Sequence, residues 1–149
     1  AKGFSADDFA LSHPGGSLGR RLLLRLEDIM HTGEQVPTVA MHATIKDALL
    51  EISRKGLGMT AVVDDSGRMA GIFTDGDLRR ILDQRFDIHT NHIAEVMTRN
   101  CITADAKMLA AEALQVMQTK KINGLIVLDQ DSMPVGAMNM HDLLRAGVL

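Results

Sequence analysis

The sequence predicts an α/β (α+β) fold in which two β-α-β-β-α repeats pack as a pseudo-twofold pair. Three observations carry that expectation. The first is an internal repeat: Gly71-Ile72-Phe73-Thr74-Asp75-Gly76-Asp77-Leu78 returns 65 residues later as Gly136-Ala137-Met138-Asn139-Met140-His141-Asp142-Leu143. The same ungapped offset pairs Ala48 with Ala113, Leu49 with Leu114, Lys55 with Lys120, Val62 with Val127 and Asp64 with Asp129. The second is a helical stripe in each copy, and the third is a pair of short apolar runs after each stripe, joined by turn residues. Asp28-Ile29-Met30 also resembles Glu95-Val96-Met97, at an offset of 67, so the loops of the two copies differ in length.

In chain order, each copy opens with a brief strand, at residues 37–39 and 101–103. Ile45, Ala48, Leu49 and Ile52 then fall at i, i+3, i+4 and i+7, one face of a helix, and Thr44 with Asp47 reads as its capping box. Ala110, Ala113, Leu114 and Met117 repeat the stripe. Next come two runs, 59–63 and 69–73, separated by Asp64-Asp65-Ser66-Gly67, which read as a hairpin. The second copy has runs 125–128 and 135–138 around the turn Asp129-Gln130-Asp131-Ser132. Each hairpin leads into a short helix beginning near Thr74 or Asn139. A unit of about 60 residues buries little apolar surface alone, so the copies are expected to pack sheet to sheet. The division expected is 1–26 as a preceding segment, 27–88 as the first repeat and 89–149 as the second.

Composition narrows the function. The 149 residues carry 16 Lys+Arg against 19 Asp+Glu, with no Trp or Tyr. A net charge of −3 without a basic run leaves no footprint for nucleic acid, and stacking platforms are scarce. No apolar run approaches the ~20 residues needed to span a bilayer, so no membrane partner and a cytoplasmic location are expected. The lone Cys101 has no partner for an internal disulfide or a cysteine zinc cage, and reads as a small buried side chain. The methionines sit mostly at apolar repeat positions and read as compliant core. A start at Ala rather than Met points to a piece of a longer chain.

The β-α-β-β-α order, the Val62-Val63-Asp64-Asp65 turn and the Gly71-to-Asp77 signature resemble a CBS domain, and the tandem resembles a CBS pair over about residues 27–149. The resemblance implies a regulatory module that binds nucleotides, most often adenosine nucleotides, in clefts between the copies. Thr74 would cap the last helix of copy one, with Asp75, Gly76 and Asp77 in its first turn, where unpaired N–H groups and the helix dipole favour a phosphate. Asp77 would accept hydrogen bonds from both ribose hydroxyls, the use this position has in nucleotide-binding CBS domains. The base would lie against Val36, Pro37 and Thr38 on one side and Met59, Thr60 and Ala61 on the other. The Thr-x-x-Asp spacing is equally a capping box, which explains Thr74 and Asp77 without a ligand through about 1 kcal/mol of helix stability. Asp75 places a second carboxylate beside the phosphate, to be offset by Arg79, Arg80 or Lys55. In copy two, Asn139 replaces the hydroxyl residue and His141 stands in place of Gly76, beside Asp142, so that site is a weaker phosphate clamp. His141 reads as a solvent-facing residue of the first turn.

No metal is expected: His89 and His92, with Asp87 nearby, lie in the linker between copies and lack a third ligand. His31 and His42 read as loop residues.

The segment Phe4-Ser5-Ala6-Asp7-Asp8-Phe9-Ala10-Leu11-Ser12-His13-Pro14-Gly15-Gly16-Ser17-Leu18-Gly19-Arg20-Arg21 is similar to the end of the sugar isomerase (SIS) domain in the arabinose-5-phosphate isomerase family. That resemblance implies a parent enzyme that interconverts ribulose 5-phosphate and arabinose 5-phosphate for Kdo and lipopolysaccharide synthesis. It also implies a tetrameric parent, in which this part is non-catalytic and serves its own SIS domain as a partner. His13 matches a position proposed there for acid–base work, but ahead of Pro14-Gly15-Gly16 it also reads as a turn residue. No cofactor is required; the expected effector is AMP or ATP, or CMP-Kdo as a feedback ligand. A reading of a different class makes the pair a ligand-independent assembly module that forms a homodimer of CBS pairs.

Overall fold

The computed structural model describes residues 17–149. Two short helices come first, α1 (Ser17–Leu22) and α2 (Leu26–Ile29). Copy one follows as β1 (Thr38–Ala40), α3 (Ile45–Lys55), β2 (Met59–Val63), β3 (Met69–Thr74) and α4 (Asp75–Ile81). Copy two repeats the order as β4 (Thr103–Asp105), α5 (Ala110–Lys120), β5 (Gly124–Leu128), β6 (Pro134–Asn139) and α6 (Met140–Arg145). Each copy forms a three-stranded sheet in which the first strand pairs parallel and the third antiparallel to the central one. The expected β-α-β-β-α order and α+β class are therefore present twice.

Local chemistry explains the elements. Thr44 Oγ1 accepts the Asp47 N–H (3.1 Å) and Asp47 Oδ2 accepts the Thr44 N–H (3.2 Å), the reciprocal cap that starts α3. Gly56, at φ +72°, ends that helix in the left-handed conformation, and Lys121 does the same for α5 at φ +57°. The leading strand of copy two begins two residues later than its sequence suggests, because pairing with β5 starts at Thr103 opposite Ile126 and Cys101 and Ile102 turn toward a cleft. In copy one the strand is displaced by one residue, to Thr38–Ala40.

The two sheets lie inside and the helices outside. Along β2, Met59 and Ala61 face the other sheet, where they pack with Val36, Ile72, Ile126 and Ala137. Val62 and Phe73 face the other way, onto Ile45, Ala48 and Ile52 of α3. Leu125, Val127 and Met138 make the matching layer under α5. With both faces covered, the central strands read as unbroken apolar runs rather than alternating ones.

The leading segments are exchanged between copies. Residues before β1 join the sheet of copy two: Leu26 is wholly buried in that copy's core, its N–H bonds the Met108 carbonyl (2.9 Å), and His31 bridges Ala137 through N–H to carbonyl bonds of 2.8 and 3.0 Å. Residues before β4 join copy one: Ile93 and Met97 enter its core, and Thr98 bridges Ile72 with bonds of 2.8 and 2.9 Å. Each segment also seats a methionine on a glycine, Met97 on Gly71 and Met30 on Gly136. This explains why the Asp28-Ile29-Met30 and Glu95-Val96-Met97 triplets recur together with the two glycines.

A Cβ at Gly71 would sit 2.7 Å from the Thr98 carbonyl oxygen and 2.7 Å from Met97 Sδ, so the bridge must shift to admit it. Gly71→Ala is expected to lower stability by about 1–3 kcal/mol, seen as a lower denaturation midpoint. Gly76→Ala, whose Cβ meets nothing nearer than 3.6 Å, is the control and should change stability by less than about 0.5 kcal/mol.

Candidate functional site

The two halves of the Gly-to-Asp signature each end on a capped helix. In copy one, Thr74 Oγ1 accepts the Asp77 N–H (3.1 Å), while Asp77 Oδ2 accepts the Thr74 N–H (2.9 Å) and the Thr74 hydroxyl (3.1 Å). The other oxygen, Oδ1, accepts the Thr98 hydroxyl (3.2 Å) and pairs with the Arg80 guanidinium. Asp77 is only 4% exposed, and these partners are what make a buried carboxylate tolerable. In copy two, Asn139 Oδ1 accepts the Asp142 N–H (3.1 Å) and Asp142 Oδ2 accepts the Asn139 N–H (2.9 Å). The capping-box reading is thus satisfied in both copies.

Those bonds change where an anion could bind. The Asp75 N–H already bonds the Gly58 carbonyl (3.1 Å) and the Asp77 N–H is taken by Thr74, so of the first three amides of α4 only that of Gly76 is left. The phosphate cradle expected from bare helix amides is therefore mostly closed.

The space beside α4 is nonetheless open. A cleft of about 640 Å³ runs between the copies, bounded by Gly58 and Met59, the start of α4, the segment 98–102 and the loop 121–124. Its wall combines apolar Met59, Ile72, Ile102 and Ile122 with Asp75, Asp77, Arg79, Arg80 and Lys121. Three cations against two carboxylates, one of them already paired with Arg80, leave the cleft positive. Asn100 and Asn123 add amide donors and acceptors.

Of the residues expected here, Met59, Thr74, Asp75, Gly76 and Asp77 line this cleft. Four others do not. Thr60 and Ala61 are wholly buried, the Thr60 hydroxyl bonding the Ala61 carbonyl (3.0 Å). Pro37 is buried with its carbonyl on the Ala61 N–H, and Thr38 is exposed with its N–H on Glu51. The reason is the exchange: the wall assigned to 36–38 is supplied by the other copy, through Cys101 and Ile102, the counterparts of Val36 and Pro37, with Asn100 just before them. Asn139, His141 and Asp142 surround the pseudo-equivalent helix start in copy two, where His141 is exposed. His13 lies outside the described residues.

Sequence reasoning missed the loop 121–124 and gave His31 no role beyond a loop. His31 Nε2 lies 3.0 Å from Asp142 Oδ1, so it is a partner of the second capping carboxylate. The repeat offset holds a signal for the first of these, since 121–124 is the copy-two counterpart of Gly56 to Met59. Cys101 is half-buried in the cleft wall; burial pushes its thiol above the ordinary value, outweighing a backbone hydrogen bond that lowers it. Among the described residues, no three or more His, Cys, Asp and Glu side chains gather as metal ligands, and no helix is long and apolar enough to cross a membrane.

Two equivalent α+β units that exchange their leading segments around a shared cleft define a tandem-repeat pair. The CBS domain family matches residues 26–84 and 93–149, and the chain belongs to that family. Among similar proteins is the arabinose 5-phosphate isomerase KdsD of Pseudomonas aeruginosa, 58% identical over all 149 residues, which make up 46% of that protein. The KdsD of Escherichia coli strain K12 is 54% identical over the whole chain and 45% of its own length. The chain thus spans about half the length of the curated relatives it matches. Of solved structures, the CBS domain pair of protein MJ0100, in complex with 5′-methylthioadenosine and S-adenosyl-L-methionine, superposes with a TM-score of 0.73 at 26% identity, over 83% of this chain and 94% of that one. CBSX2 in complex with AMP gives 0.70 at 19% identity, over 84% and 96%, which shows a common fold.

Two outcomes follow from the site. Thr74→Val removes the acceptor for the Asp77 N–H and should cost about 1 kcal/mol in equilibrium unfolding. Cys101, with its thiol raised, carries less thiolate at a given pH than an exposed cysteine. A chromogenic disulfide reagent should therefore label it more slowly than a free thiol at pH 8, and the gap should narrow as the pH rises.

Proposed function

We propose that this chain is the regulatory, nucleotide-binding CBS pair of an arabinose 5-phosphate isomerase. The parent would interconvert ribulose 5-phosphate and arabinose 5-phosphate in the cytoplasm for Kdo and lipopolysaccharide synthesis, with catalysis in a preceding SIS domain and none in this part. The observation that carries the binding role is the open cleft between the copies, with a buried carboxylate at one end and Arg79 and Lys121 along its wall. Support for the parent comes from the 54–58% identity to KdsD proteins.

In this reading the ribose hydroxyls replace Thr98 and Arg80 on Asp77 Oδ1. Arg80 can swing out because its side chain is 71% exposed, and the ribose hydroxyls then take over its bond to the buried Asp77 carboxylate. The phosphate lies toward Arg79 and Lys121 rather than on the helix amides, and the base against Ile72, Ile102 and Ile122. The ligand found in the MJ0100 pair, an adenosine derivative, supports the adenosine class; CMP-Kdo, the activated sugar of the pathway, is the feedback candidate because its cytidine ribose offers the same diol. Closing the cleft moves copy two against copy one and carries with it residues 24–31, which are bonded to copy two and lead toward the catalytic domain.

A second reading, assembly, draws on the exposed side chains of Leu50 and Leu144 on the outer helices and of Leu82 at the end of α4. They would meet a second pair in a homodimer within a tetrameric parent. Sedimentation at several concentrations, with and without nucleotide, separates the two.

The direct experiment is calorimetry with AMP, ATP, CMP and CMP-Kdo on the wild-type chain and on Asp77→Asn. At least one should release heat at a stoichiometry near one, and Asp77→Asn should weaken it by about tenfold or more. No heat from any of the four removes the binding role.

A further inference from the structure

The two capping carboxylates are equivalent by the repeat, but the groups that face their outward oxygens differ. At Asp77 the neighbour across the exchanged segment is Thr98, a hydroxyl on an exposed residue, at 3.2 Å. At Asp142 the equivalent neighbour is His31, whose Nε2 lies 3.0 Å from Oδ1. The equivalence is set by the two bridges, Thr98 with Ile72 and His31 with Ala137. His31 is anchored at both ends of its ring, since Nδ1 stands 3.3 Å from Gln35 Oε1, and Arg145 Nη2 adds a contact at 3.5 Å to the same Asp142 oxygen. Gln35 reaches the ring because the chain from bridge to strand is two residues longer in copy one, from His31 to Thr38 against Thr98 to Thr103, and the extra length winds into a 3-10 turn at Gly33–Gln35. Asp142 Oδ2 is already committed to the Asn139 N–H.

We propose that His31 is a built-in occupant of the second carboxylate, so that the pair is a one-site sensor whose second capped helix start is blocked by its own leading segment. This rests on the nucleotide reading of the first cleft. The imidazole, held by Gln35 and by Asp142, takes the place a ribose hydroxyl would need. A ligand there must first break the His31–Asp142 contact, and its apparent affinity falls by the fraction of molecules in which that contact is open. In the first cleft the corresponding competitor from the leading segment is the Thr98 hydroxyl, which rotates aside; the arginine on the capped helix is common to both sites, Arg80 at Asp77 and Arg145 at Asp142, so the difference between them is His31 with its Gln35 anchor.

The test is a proton–nitrogen NMR titration with AMP, following the amides of Gly58 and Gly76 for the first cleft and of His141 and Asp142 for the second. In the wild-type chain only the first set should respond. His31→Thr, which gives copy two the residue that copy one uses, should bring the second set into response, with an affinity gain of about tenfold or more. The reciprocal Thr98→His should weaken AMP at the first set by a similar factor, and serves if His31→Thr folds poorly. Equal response of both sets in the wild type, or silence of the second set in His31→Thr while the first responds, overturns this inference and leaves the first site standing. An unchanged first-set affinity in Thr98→His also overturns it. Silence of both sets in every variant overturns it together with the nucleotide reading.

Discussion

Everything in this molecule rests on the exchange of the two leading segments. Each is tied to the other copy's third strand by a pair of backbone hydrogen bonds, His31 with Ala137 and Thr98 with Ile72, and each seats a methionine on a glycine of that strand. A side chain at either glycine would displace the methionine, which is why the same two positions in the repeat carry no Cβ. Backbone bonds fix the register and the methionines, Met97 buried and Met30 partly so, pack over it, so the two halves cannot be separated without unmaking both cores. A repeat of this size, with its small share of buried surface, gains its stability from that mutual completion.

The exchange also decides what surrounds the cleft. The helix start of α4 comes from copy one, but the facing wall is the segment that leads into β4 and the loop that leads into β5. A molecule held there touches both copies, which is the condition for it to favour one arrangement of the pair over another. The chain entering the pair is bonded to copy two, so a change in the angle between copies reaches it directly through Leu26 and His31 rather than through the length of copy one.

Much of this was written in the sequence, and the parts that were not share a cause. The strands were legible because β2 and β5 are buried on both faces and read as unbroken apolar runs; α3 was legible because its stripe and its Thr44–Asp47 cap agree. The capping boxes at Thr74 and Asn139 were equally plain. What the sequence did not show was which copy each leading segment joins, because a repeat offset establishes equivalence and says nothing about partner choice. That one ambiguity misplaced Pro37 and Thr38 in the first cleft and hid the contact between His31 and Asp142, which lie 111 residues apart. Thr60 and Ala61 failed for a simpler reason: in a strand covered on both sides, neighbours of a cleft residue face the core.

The most direct measurement of the exchange is the nuclear Overhauser effect between methionine methyl groups and glycine α-protons in the chain in solution. The structure predicts cross-peaks from Met30 to Gly136 and from Met97 to Gly71. Cross-peaks from Met30 to Gly71 and from Met97 to Gly136 would place each leading segment on its own copy and contradict the account.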